Sequence, residues 1–111
     1  ALEEALFYWN RGIRNVMLCV EIRSMEHFKT YDASPIPWRY ILAYIRTAVD
    51  PRLQEVYDRL HAHGVMTMIS ITKTSDKVKN SRDRRTAYLR ELLAEPDIIE
   101  TDYPSEFIGL P

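Results

Sequence analysis

Four short apolar runs, each stopped by polar or charged residues, alternate along this chain with stretches whose apolar residues recur every three or four positions. The runs are Val16 to Val20, Tyr40 to Ile45, Val65 to Thr72 and Asp97 to Asp102. Short bounded runs of this kind suit the strands of a parallel sheet, which are covered on both faces. The stripes between them suit amphipathic helices. Leu2, Ala5, Leu6 and Trp9 form the first stripe, and Leu53, Val56, Tyr57 and Leu60 form another. Leu89, Leu92 and Leu93 mark the last. Strand alternating with helix predicts parallel strands joined by right-handed crossovers.

Local signals place the boundaries. Gly12 and Gly64 follow helical stripes, where a helix end wants a residue that tolerates positive φ. Ser24 can cap a short helix running to about Tyr31, and Asp50-Pro51 is a strong helix start, with the carboxylate as cap and proline in the first turn. Pro35 and Pro37 enforce an extended stretch, and Pro96 stops the last helix. At 111 residues the chain suits one domain. A net charge of −1 gives no general reason to expect nucleic acid or anionic lipid as a partner. No apolar run approaches the length that spans a membrane, about 18 residues. The single cysteine, Cys19, rules out an internal disulfide and reads as a buried small hydrophobe. The start, ALEEALFYWN, lacks both an initiator methionine and the basic opening of a signal peptide, so the chain is expected to be part of something longer.

Parallel α/β folds place their chemistry at the carboxyl ends of the strands. Here the first run ends in Glu21 and Arg23, the second in Arg46 and Thr47, the third in Thr72 and Lys73, and the fourth in Thr101 and Asp102. Gathered on one rim, three cations and two carboxylates would suit an anionic substrate and a divalent metal. The basic stretch Lys73 to Arg85 reads as a solvated, mobile loop, with Lys73, next to its strand, as the exception. His61 and His63 are two apart on a helix and cannot chelate one metal from it, so they read as structural. His27 falls near the rim, with no partner evident from the sequence.

The segment HAHGVMTMISIT, residues 61–72, followed by PDIIETDYP, resembles the C-terminal part of the glycerophosphodiester phosphodiesterase family. Asp97, Ile99, Thr101, Asp102 and Pro104 fit that family's last strand motif, Asp-Gly-Ile-Ile-Thr-Asp-x-Pro. Ser70-Ile71-Thr72-Lys73 stands where the family carries Trp-Thr-Val-Asn, and Ile98 stands where it carries glycine. Val20 to Arg23 resembles a family strand motif, Ile-Glu-Ile-Lys, in which the glutamate binds metal and the lysine contacts phosphate. On that match Glu21 would be a metal ligand and Arg23 a phosphate clamp. The spacing to the later motifs argues against the match, and an ordinary strand end is the other reading. The family's His-Arg opening, its metal-binding Glu and Asp and its second catalytic His have no counterpart here.

The resemblance implies an α/β fold: four parallel strands alternating with helices, the C-terminal half of a TIM (β/α)8 barrel, which takes about 250 residues when complete. Residues 1–111 would form a single domain, a portion of a larger phosphodiesterase domain. The function implied is the C-terminal part of a metal-dependent phosphoric diester hydrolase of glycerophospholipid metabolism. This part would supply barrel closure and a phosphate-binding rim, with Arg46, Lys73, Thr72, Asp102 and Arg23 binding substrate, and it would be inactive alone. A divalent metal, calcium or magnesium, is implied for the full-length family rather than for this chain by itself. The partners implied are the missing N-terminal half or a second copy, together with a glycerophosphodiester. The alternative is a non-catalytic oligomeric half-barrel that serves as a binding or scaffold module.

Overall fold

In the computed structural model, which describes residues 2–110, the expected alternation is realised. Helix α1 (Leu2–Asn10) leads to strand β1 (Leu18–Glu21), helix α2 (Met25–Asp32) to strand β2 (Ile41–Tyr44), helix α3 (Gln54–Ala62) to strand β3 (Met66–Ser70), and helix α4 (Ser81–Leu92) to strand β4 (Ile98–Glu100). The strands form one sheet in the order β1-β2-β3-β4, and every neighbouring pair is parallel. Short 3-10 turns at Pro51–Leu53, Ser75–Lys77 and Pro104–Phe107 follow strands β2, β3 and β4.

The local signals act as their chemistry dictates. Ser24 Oγ accepts the His27 amide and caps α2, and Asp50 Oδ1 accepts the Arg52 amide at the turn that opens α3. Gly12 and Gly64 adopt φ of 78° and 71° past the ends of α1 and α3. The first strand is shorter than its apolar run. Val16 and Met17 lie outside the sheet and are exposed, because β1 is an edge strand whose pairing with β2 begins only at Leu18.

The helices cover one face of the sheet. Val20, Ile41, Ala43, Thr67 and Ile69 point into the layer of helices and are buried. One core cluster gathers Ala5, Phe28, Tyr31, Val56 and Leu60 under β1 and β2, and a second gathers Tyr57, Ile69, Ile71, Tyr88 and Ala94 farther along. The alternate residues lie on the other face, in register as Cys19–Leu42–Met66 and Glu21–Tyr44–Met68–Ile98. No helix of the described residues covers that side. Two-sided coverage, expected from the continuous apolar runs, is therefore absent, and Cys19 is exposed rather than buried. The last helix also differs from its expected stripe. Ala87, Tyr88 and Glu91 face the core, while Leu89 and Leu93 are exposed.

Candidate functional site

Because all four strands run in parallel, their carboxyl ends share one edge of the sheet, and so do the residues that follow them. Glu21 stands at the end of β1 and Arg46 just beyond β2. The Glu21 carboxylate oxygen Oε1 receives Arg46 Nη1 at 2.9 Å and Arg23 Nε at 2.6 Å. These charge-assisted contacts, that with Arg46 foremost, hold the Glu21 carboxyl below the usual carboxylate range. Arg46 is one of two non-glycine residues with positive φ among the described residues, at 76°. A side chain in the left-handed region costs roughly 1–3 kcal/mol and marks a position where the surroundings dictate the backbone. The surroundings here are visible. The Arg46 carbonyl accepts the Ser70 amide at 3.0 Å. Past it, Thr74 Oγ1 donates to the Thr47 carbonyl at 2.6 Å, and the Val49 amide donates to buried Glu91 at 2.8 Å.

His27 joins this group. The Arg23 amide donates to His27 Nδ1 at 3.2 Å, so the ring proton sits on Nε2. Arg23, His27, Arg46 and Thr47 line a cavity of ≈ 710 Å³ between the loops that follow β1 and β2. Sequence reading placed His27 near the rim but gave it no partner; the partner is a backbone amide, which no side-chain motif announces.

The other half of the rim is built differently. Asp76, in the loop after β3, is buried and accepts Tyr88 Oη at 2.6 Å, Thr101 Oγ1 at 2.7 Å and the Asp102 amide at 2.7 Å. Burial and the hydrogen bond to Asp76 push the Tyr88 phenol up to about 12. Ser75 beside it is also buried and donates to Glu91. The stretch Lys73 to Arg85, expected as a solvated loop, is thus anchored at its centre. Arg84 is anchored as well: it lies within α4 and grips Glu106 with two nitrogens, at 2.8 and 2.6 Å. Thr72 is half-buried, and Lys73 and Asp102 are exposed. Among the described residues, the Lys73 ammonium and the Asp102 carboxylate have no hydrogen-bond or ion-pair partner. The structure therefore gathers Glu21, Arg23 and Arg46 into one contact group. Lys73, Thr72 and Asp102 stand on the same edge without touching that group.

A divalent metal implied by the family can be weighed against these donors. Glu21 Oε1 is already shared by two guanidinium groups, and among the described residues no three His, Cys, Asp or Glu side chains converge where they could hold a metal ion. The donors gathered at this rim among the described residues do not by themselves suit the ion. His61 and His63 do not bear on it either. His61 Nε2 lies 3.3 Å from Asp97 and His63 Nδ1 lies 2.9 Å from the Arg59 carbonyl, both at the opposite end of the sheet.

Fold and rim together define a class: a segment of a parallel βα barrel that carries ionic side chains at the carboxyl ends of its strands. Within that class the chain is similar to a solved glycerophosphoryl diester phosphodiesterase from Parabacteroides distasonis. The two share 34% identity over 95% of this chain, with a TM-score of 0.79. The match covers 36% of the Parabacteroides chain, so the present chain spans about a third of that relative's length. No family model and no curated protein matches. The resemblance seen in the sequence is thus reproduced in three dimensions, and the four parallel strands correspond to a portion of a phosphodiesterase barrel.

Proposed function

We propose that this chain is the C-terminal portion of a glycerophosphodiester phosphodiesterase barrel, where it closes the sheet and supplies a phosphate-binding rim. The observation that carries this reading is the 34% identity over nearly the whole chain to a phosphoryl diester hydrolase, in a fold that puts Arg23, Arg46 and Lys73 at one edge. Guanidinium forks and a lysine ammonium recognise phosphate oxygens by geometry and by charge. In this reading Arg46 and Arg23 hold the phosphodiester, Thr72 and Lys73 approach it from the third strand, and Asp102 borders it from the fourth. Glu21 spaces the two arginines. The acid–base groups and the metal ligands belong to the strands that complete the barrel, and those strands, or a second copy, are the partner of the open face.

The test is a pair of hydrolysis assays on glycerophosphocholine. The purified chain alone should be inactive. A chimera in which it replaces the matching 36% of the Parabacteroides protein should hydrolyse the substrate, and Arg46→Ala in that chimera should lower kcat/KM by about tenfold or more. Hydrolysis by the isolated chain would overturn this division of roles.

A further inference from the structure

We propose that Glu91, on the buried face of α4, is a positioning residue: its carboxylate holds the loop after β2 in the shape that sets Arg46 at the rim. What Arg46 does there rests on the phosphodiesterase reading; the tie to Glu91 does not. Glu91 is 7% exposed and belongs to a helix, not to the rim. Its Oε2 accepts the Val49 amide at 2.8 Å, three residues past Arg46. Its Oε1 accepts the Ser75 hydroxyl at 3.2 Å, in the loop after β3. One side chain thus grips two neighbouring rim loops from below.

Packing alone does not call for a charge here. A leucine would fill the position without desolvating a carboxylate, and α4 leaves Leu89 and Leu93 on its exposed side. Among the described residues no cation pairs with Glu91, so hydrogen bonds alone offset its burial. What the carboxylate supplies and a leucine cannot is an acceptor for loop donors, in charge-assisted bonds. The strain lies where that hold is needed. A positive φ at an arginine persists only where its surroundings fix it. On the near side, the Ile45 amide donates to Met68 and the Arg46 carbonyl accepts the Ser70 amide, so β3 fixes the chain up to Arg46. On the far side, Thr74 holds Thr47, Glu91 holds Val49 and the Tyr57 hydroxyl accepts the Asp50 amide at 3.1 Å. Glu91 is the one charged anchor of the three. Ala48 and Asp50 line both the rim cavity and a second cavity of ≈ 540 Å³ between α3 and α4. With a cavity on either side, this stretch owes much of its shape to those hydrogen bonds.

Two variants separate positioning from a merely structural role. Glu91→Gln keeps an acceptor oxygen for Val49 and offers an amide nitrogen to Ser75, whose hydroxyl accepts as well as donates. Glu91→Met fills similar space without an oxygen. In amide NMR of the 111-residue chain, Glu91→Met should speed hydrogen exchange at Val49 by about tenfold or more. It should also weaken the intraresidue HN–Hα NOE that marks positive φ at Arg46. Glu91→Gln should leave both near the parent. In the chimera, Glu91→Met should lower kcat/KM by about tenfold, and no further once Arg46 is alanine, whereas a merely structural residue would multiply the two losses. Should Glu91→Met not fold, Glu91→Asp, with its carboxylate drawn back by one methylene, carries the same expectations. Unchanged Val49 exchange and an unchanged Arg46 NOE would overturn the inference. So would multiplied losses in the chimera, or a glutamine variant as impaired as the methionine one. A parent chimera without activity would count against the phosphodiesterase reading, and the NMR comparison would still decide whether Glu91 sets Arg46.

Discussion

The carboxylate of Asp76 is only 4% exposed and satisfies three donors drawn from α4, from the end of β4 and from the chain just beyond it. A buried charge of this kind is tolerable because its hydrogen bonds replace the water it lost, and removing it strands all three donors. Asp76→Ala should therefore cost about 3–5 kcal/mol, measured by urea unfolding, with Asp76→Asn costing less because the amide keeps an acceptor oxygen. A loss under about 1 kcal/mol for the alanine variant would mean that the network is solvated and the account of it wrong. Nothing in the sequence KTSDKVKN distinguishes this aspartate from its charged neighbours, since its donors come from residues 12 to 26 positions away. Arg23, Arg46 and Glu21 were legible for the opposite reason: each ends or follows an apolar run, and in a parallel sheet that position alone predicts the edge it occupies.

At the scale of elements, the alternation of apolar runs and helical stripes was enough to give all four strands, all four helices and their parallel order. The cap Ser24 marked the start of α2 directly, while Asp50-Pro51 opens a 3-10 turn, Pro51–Leu53, and α3 itself begins three residues later at Gln54. The stripe of α4 was not legible, because its inner face is built from Ala87, Tyr88 and Glu91, one of them charged, while leucines face outward. Glu91 takes a core position there because the Val49 amide in the loop after β2 and the Ser75 hydroxyl in the loop after β3 both donate to it. The Tyr88–Asp76 bond ties this helix to the loop after β3, and that tie carries a pH signature. The phenol rises from 10 in the unfolded chain to about 12 in the fold. Between those values the unfolded chain has released the proton and the folded chain still holds it. Stability is therefore fully present below pH 10 and falls as pH rises toward 12. Tyr88→Phe should remove most of this slope in urea midpoints measured across that range, and a slope unchanged in the variant would assign it to other groups.

At the scale of the whole molecule, the radius of gyration is 15.2 Å, against about 13 Å for a compact domain of some 100 residues. The excess follows from the architecture. Helices cover one face of the sheet, and the opposite face leaves Met66 41% and Ile98 37% exposed, between the open edges of β1 and β4. Continuous apolar runs hid this asymmetry, since a strand of a complete barrel and a strand of an open one read alike. Unpaired edges beside an apolar face drive association, because a second surface satisfies the edge hydrogen bonds and removes apolar area from water at once. For the purified chain by itself, a second copy offers such a surface. Sedimentation velocity on the purified chain should show a dimer or a larger species at high concentration. Ile98→Glu places a charge on the open face, where the side chain supports no core contact of its own protomer, so it should shift the chain to monomer while leaving the helical circular dichroism intact. A wild-type chain that stays monomeric and folded at high concentration would show that the open face is stable in water. The partner of that face would then have to be sought through the ionic rim rather than through the apolar sheet.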